Sequence, residues 1–235
     1  MSAPFSFKQF TISQDRAPMK VGTDGVLLGA WCSCENAVSA LDIGTGTGLI
    51  ALMLAQRNSK IEVVAIEPNA AAASDALLNF ENSPWKDRIR LQNTDLESFK
   101  TDETFDLIVS NPPFFKNALP ASDSGRNLAR HITDFSPRLF AEASTLLNSN
   151  GIIAGIYPMD IFREFDFQIR QFGLFPSRLC EVQSTPQKSP HRVLFEYAFA
   201  KIKMPIIDKL IIEENGRHKY SDEYLKLTQD FYLNS

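Results

Sequence analysis

The sharpest chemical feature of the chain is an asparagine followed by two prolines and a phenylalanine, Asn111-Pro112-Pro113-Phe114. Two consecutive prolines fix the backbone and remove two N–H donors. What remains is rich in acceptors: the side-chain carbonyl of Asn111 and the backbone carbonyl of Pro112. Phe114 adds a flat apolar face. Together these groups suit a planar ligand bearing an NH2, with each N–H bond directed at an oxygen. The amine of adenine is such a group and a poor nucleophile, because its lone pair is delocalised into the ring. Two acceptors on its hydrogens draw it toward a tetrahedral geometry and localise that pair, so no strong general base is needed. A base in a stem or stacked loop must first swing out, and stacking on Phe114 offsets part of the cost. The competing account of these four residues is a rigid Pro-Pro turn with a core phenylalanine.

A second cluster is the glycine turn Asp42-Ile43-Gly44-Thr45-Gly46-Thr47-Gly48, between a strand-like and a helix-like run. Glycines there permit a tight turn and let a ligand approach the backbone. Glu67 ends the next strand-like run, where an acid accepts hydrogen bonds from both hydroxyls of a ribose. Asp95 follows the third and suits an exocyclic amine. Acids at three successive strand ends argue for a nucleoside cofactor over turn geometry alone. NAD would set its pyrophosphate on the helix N-terminus. S-adenosylmethionine has no phosphate, and its cationic amino group and sulfonium favour an acid near the turn. Asp42, two residues before Gly44, therefore favours the methyl donor.

These residues need a scaffold that brings strand ends together. Strands are predicted at 38–43, 61–66, 89–93, 105–110, 152–157 and 193–199. Helices are predicted from Thr23 or Asp24 as cap to about Trp31, then over 49–56, 70–80, from Pro137 to about Leu147, and over 161–171, closed by Gly173. Phe5, Phe7 and Phe10 read as a short strand or an aromatic clasp. The alternation predicts an α/β domain with a mainly parallel sheet. One domain is expected over 1–235: a segment 1–35 closing the cofactor site, a core over 36–203 and an appendage over 204–235. Residues 111–135 make a connection of a length that is usually functional or mobile.

The 235 residues are 44% hydrophobic and 22% charged, a globular profile. No apolar run approaches membrane-spanning length, and no basic region followed by an apolar run marks a secretory signal. Three cysteines argue for free thiols in a reducing compartment. Cys32 and Cys34 are either half of a metal site or two small side chains near a helix end. No other Cys or His pair has ligand spacing, so no metal is expected. The net charge of −4 argues against a general polyanion binder. Local basic patches remain: Arg126 and Arg130, spaced i,i+4, with His131, and then Lys203, Arg217 and Lys219 in the C-terminal segment. Each is either an RNA contact or part of a solvated face, and the C-terminal set leans toward RNA backbone.

The run 42–48 together with Asn111 to Phe114 resembles the class I S-adenosylmethionine-dependent methyltransferases that act on amino groups. The whole chain is similar to the bacterial tRNA adenine-N6 methyltransferases that modify position 37 of a valine tRNA. Phe7-Lys8-Gln9-Phe10, the run Met19 to Trp31, Tyr220 to Tyr224 and Asp230 to Leu233 carry that narrower resemblance. It implies a Rossmann-like fold, with a seven-stranded, mainly parallel sheet, an antiparallel last strand and helices on both faces. It implies S-adenosyl-L-methionine as cofactor, the anticodon stem-loop of tRNA as partner and a cytoplasmic enzyme, with no membrane and no obligate protein partner. By the resemblance, Asp42, Gly44, Thr45, Gly46 and Gly48 line the methionine end of the cofactor. Glu67 and Pro68 meet its ribose, and Asp95 and Leu96 its adenine. Lys20 and Thr23 close the pocket, and Asn111, Pro112, Pro113 and Phe114 hold the target adenine. Many relatives have Tyr at the position of Phe114, which keeps a ring for stacking and loses a hydroxyl.

Three alternatives share some of these residues. Protein-glutamine methyltransferases carry a similar Asn-Pro-Pro motif, but usually behind a helical N-terminal domain, whereas only 41 residues precede Asp42 here. The rRNA guanine-N2 enzymes often carry His where this chain has Phe115. A non-catalytic RNA-binding module has no need of Asp42, Glu67, Asp95 and Asn111 together.

Overall fold

Short, mostly apolar runs become strands covered on both sides. In the computed structural model, which describes residues 3–112 and 137–233, three such runs form adjacent strands of the main sheet. They are β3 (Ser39–Ile43), β4 (Glu62–Ile66) and β6 (Phe105–Ser110). Ahead of them lie the two-residue strands β1 (Phe5–Ser6) and β2 (Thr11–Ile12), paired antiparallel. β5 (Ile89–Gln92), β7 (Leu147–Pro158), β8 (Phe175–Gln183), β9 (Arg192–Ala198) and β10 (Ile206–Ile211) complete the set.

The main sheet has eight strands in the order β10-β8-β9-β7-β6-β3-β4-β5. β3, β4, β5, β6 and β7 pair in parallel, and β9 runs antiparallel to both β7 and β8. Seven of these strands match the expected count, with β9 as the antiparallel one. β10 adds an eighth, parallel to β8 at the sheet edge. Strand order reverses at β3, between β4 and β6, and a cleft opens beyond the carboxyl ends at such a switch point.

The helices are α1 (Thr23–Trp31), α2 (Leu49–Arg57), α3 (Ala70–Glu81), α4 (helical over 137–143), α5 (Met159–Gln171) and α6 (Asp222–Thr228). Side chains alternate along each strand and so feed two separate cores. Ala40, Val63, Val109 and Ile156 pack with α1, α2 and Phe80 of α3 on one face. Leu41, Val64, Ile108 and Ile153 pack with α4 and α5 on the other. No helix among the described residues is long and apolar enough to cross a membrane.

Three sequence expectations need correction. Gly22, not Thr23 or Asp24, stands at the N-cap of α1, and the Asp24 carboxylate pairs with Arg192 instead. The helix expected to reach Leu147 gives way to a single 3-10 turn at Ser144–Leu146, and Leu147 opens β7. Asn150-Gly151, expected to end that segment, lies inside β7. There Gly151 serves close approach: a Cβ would stand 2.9 Å from the Phe105 carbonyl oxygen and 2.8 Å from Leu147 Cδ1. At the N-terminus both alternatives hold. Phe5 joins the β1–β2 hairpin, and Phe7 stacks on Phe10 with ring centroids 4.6 Å apart.

Candidate active site

The glycine turn follows β3 and is held by the neighbouring strand. Backbone N–H groups of Gly44 and Thr45 both donate to the Ile66 carbonyl, at 2.9 and 3.0 Å. Gly44, Gly46 and Gly48 have φ of 69°, 60° and 84°, the left-handed region that glycine enters at little cost. Gly44 faces open space, with nothing within 4 Å of an added Cβ. Gly48 is different, since a Cβ there would stand 2.3 Å from Phe80 Cε1. Glu67, at the end of β4, accepts from Gly46 N at 2.8 Å through one oxygen and from Asn69 N at 2.9 Å through the other. This acid thus fixes both the turn and the start of α3, while a carboxylate retains further lone pairs for a ligand.

Asp42 is fully buried beneath the turn. Its Oδ2 accepts from Thr45 Oγ1 at 2.5 Å and from Ala51 N at 3.2 Å. Its Oδ1 has no partner among the described residues. Burial pushes the carboxyl up to about 7, against the hydrogen bonds from Thr45 and Ala51, with the Glu67 charge adding a smaller upward push. A buried acceptor without a donor costs free energy, which a proton or a ligand cation relieves.

Two cavities open at this end of the sheet. The apolar one, about 300 Å³, is walled by Gly44, Gly46, Glu67, Pro68, Asp95, Leu96, Asn111 and Pro112, with Ala17 to Met19 across from them. Asp95 is exposed, and the Ser98 backbone N–H at 2.8 Å holds its carboxyl below the usual range. The polar cavity, about 550 Å³, shares Met19, Gly44, Gly46, Asn111 and Pro112 with the first. It adds Lys20, Thr23, Asp24, Thr45, His191 and Arg192. Asn111 and Pro112 therefore form part of both. A Cβ at Gly25 would lie 3.8 Å from Asn111 Nδ2, so α1 turns bare backbone toward this asparagine.

The structure thus brings Gly44, Thr45, Gly46, Glu67, Pro68, Asp95, Leu96, Asn111, Pro112, Lys20 and Thr23 to one cleft. Asp42 and Gly48 support the turn and line neither cavity. Lys20 reaches the rim, but its ammonium donates to the carbonyls of Gln14 and Ala17, so it braces its own segment. Lys203 precedes β10, and Arg217 and Lys219 follow it. All three are exposed and line neither cavity. Pro113, Phe114, Arg126, Arg130 and His131 lie outside the described residues. The three cysteines are buried free thiols, with Cys32 and Cys34 pushed up by burial. No metal-ligand group occurs among the described residues.

Sequence reasoning passed over the residues that hold the cleft's far wall. Asp75, buried on α3, accepts from Arg16 N and Ala17 N, both at 2.8 Å. Asn79, one turn later, accepts from Ser13 N at 2.7 Å and donates to the carbonyls of Ser13 and Thr47, both at 2.9 Å. The signal available was two polar residues at i,i+4 within an Ala-rich helix, on the face that packs inward.

An open, mainly parallel sheet with a glycine turn at its switch point and acids at successive strand ends is the Rossmann-like architecture of class I methyltransferases. Solved structures agree on the fold. A protein from Agrobacterium tumefaciens described as a predicted O-methyltransferase superposes with a TM-score of 0.66 at 20% identity, over 88% of this chain and 96% of that one. The ribosomal protein L11 methylase of Lactobacillus delbrueckii gives 0.54 at 16% identity, over 74% and 76%. The methyltransferase small domain family matches residues 32–156. Proteins named tRNA1(Val) (adenine(37)-N6)-methyltransferase are similar over nearly the full length. The one from Bacteroides fragilis is 45% identical, covering 99% of each chain. The one from Phocaeicola vulgatus is 46% identical, covering 98% of this chain and 97% of its own. The chain belongs to the tRNA1(Val) (adenine(37)-N6)-methyltransferase family.

Proposed function

We propose that this protein transfers a methyl group from S-adenosyl-L-methionine to the exocyclic N6 amine of adenosine 37 in the anticodon loop of a valine tRNA. The observation that carries the reading is the pair of cavities meeting at Asn111 and Pro112. One suits the cofactor and the other its acceptor, so both can reach the same two residues. The cytoplasm is its place of work, a reading supported by three unpaired thiols.

The residues present fit the cofactor. Glu67 and Asp95 offer carboxylate oxygens along an otherwise apolar wall. Buried Asp42 sits beneath the turn, and its ionised carboxylate favours a cationic ligand group in the cleft above it through charge. Bound there, the cofactor supplies an electrophilic methyl group on a sulfonium. The chain's part in the reaction is to position and polarise. Asn111 Oδ1 and the Pro112 carbonyl accept the two N–H bonds of the amine, which localises its lone pair and stabilises the positive charge it gains. Phe114 offers its ring to the extruded base. The methylated nitrogen then loses its proton to water, and no residue of the cleft need act as a strong base.

The direct test incubates the purified chain with unmodified valine tRNA and labelled cofactor, then maps the product. Label recovered as N6-methyladenosine at position 37, and none in a transcript with guanosine there, is the expected result. Label at another nucleotide, or on protein alone, overturns the reading.

A further inference from the structure

The polar cavity has a charged rim whose part in the reaction is so far unassigned. We infer that Arg192 binds a backbone phosphate of the RNA beside the target nucleotide, and that Asp24 is the carboxylate it exchanges for that phosphate. The inference rests on the reading of the protein as an RNA adenine methyltransferase.

A base brought to Asn111 and Pro112 leaves its ribose and phosphates along the other walls of this cavity. Three of those wall residues are ionic: Lys20, Asp24 and Arg192. The Lys20 ammonium is engaged by two carbonyls of its own segment. Arg192 donates through Nε to Asp24 Oδ2 at 2.9 Å and through Nη1 to the His191 carbonyl at 3.1 Å. Neither of these bonds uses its Nη2. A guanidinium presents a fork of donors that matches phosphate oxygens in pairs, so a phosphate can replace the single carboxylate contact with two.

The surroundings favour such an exchange. Both side chains of the Arg192–Asp24 pair are 30% exposed, and a pair so open to water adds little stability. Asp24 lies in the first turn of α1, where the helix dipole favours a carboxylate with or without its partner. Arg192 opens β9 from a rigid base, since His191 N donates to the Val182 carbonyl at 2.9 Å and the His191 carbonyl accepts from Met159 N at 3.1 Å. Burial and the Arg192 charge hold the His191 imidazole below its ordinary range, so Arg192 supplies the positive charge on this side of the rim.

The test measures tRNA affinity across salt concentrations for the full chain and three variants, with melting temperature and cofactor affinity alongside. Arg192→Gln should bind tRNA about tenfold more weakly, as expected for one charge-assisted contact. Its slope of log K against log salt should shrink by ~0.7–0.9, the share of one phosphate. Arg192→Lys should recover the slope. Asp24→Asn should bind tRNA more tightly than wild type, because the competing carboxylate is gone. A pair that only staples β9 to α1 predicts otherwise: both Gln and Asn variants would melt earlier and bind tRNA equally well or worse. That pattern, or an unchanged slope in Arg192→Gln, overturns the inference. Wild-type chain that binds tRNA without methylating adenine defeats the proposed function, while the salt slopes still decide the role of Arg192.

Discussion

The two cavities that meet at Asn111 and Pro112 are assembled in different ways. The apolar one is built from strand ends and the turns that follow them, so its chemistry sits in short contiguous runs. The polar one joins the first turn of α1 to the first residue of β9, partners 168 positions apart in the chain. The acids of the first sit at the ends of successive strands, whereas the charges of the second meet only through the fold. Substitutions in the first should therefore act on folding and cofactor binding, and substitutions in the second on RNA.

The largest effect expected is on stability, at Gly48. Alanine there meets φ of 84° and a Cβ contact of 2.3 Å with Phe80. A left-handed residue and an overpacked core together cost roughly 2–5 kcal/mol. Gly48→Ala should show this by chemical denaturation, whereas the charge changes at the RNA rim should leave the midpoint close to wild type. A Gly48→Ala midpoint equal to wild type would break the contrast.

Next in size is Glu67→Ala, which removes an acceptor from the apolar cavity and releases Gly46 N and Asn69 N. Loss of a charge-assisted bond is worth roughly 1.5–3 kcal/mol, so cofactor affinity should fall about 10- to 100-fold. Affinity for tRNA without cofactor should stay within about twofold. Calorimetry that finds both affinities equally reduced would erase the division between the cavities.

A pH dependence from Asp42 bears on both sides of the contrast, stability and cofactor binding. Its folded carboxyl is pushed above the unfolded value to about 7. Stability from the protonated form is complete below the unfolded value near 3.9 and is lost as pH rises through about 7. The ligand-free protein should therefore lose stability across that window, and Asp42→Asn should flatten the loss. A cationic ligand group needs the ionised carboxylate, so cofactor affinity should rise up to tenfold per pH unit below about 7 and level off above it. An affinity constant from pH 5.5 to 8 would remove Asp42 from the cofactor's reach.

This contrast also explains what was legible beforehand. The core strands and helices were readable because each is a short run with its own period and punctuation, as in Phe105 to Ser110. The cleft was readable because its acids fall at strand ends. β8 was missed because its exposures mix along its length, and β10 because most of its residues are exposed at the sheet edge. In β8 only Pro176, Cys180 and Val182 are buried, and Arg178 interrupts them on that face. Asp75, Asn79 and the Arg192–Asp24 pair were missed for another reason: their partners are 32 or more positions away, and sequence spacing says nothing of such pairings. Gly151 misled because glycine marks turns and close approaches alike.

The division at Asn111 is tested most directly by Asn111→Ala. Single-turnover methylation of unmodified tRNA should be measured beside cofactor affinity and a melting curve. Turnover is expected to fall ~10²–10³-fold, the loss typical of one preorganised polar group, with cofactor affinity and melting temperature near wild type. Turnover close to wild type, or a joint loss of cofactor binding and stability, would contradict the account.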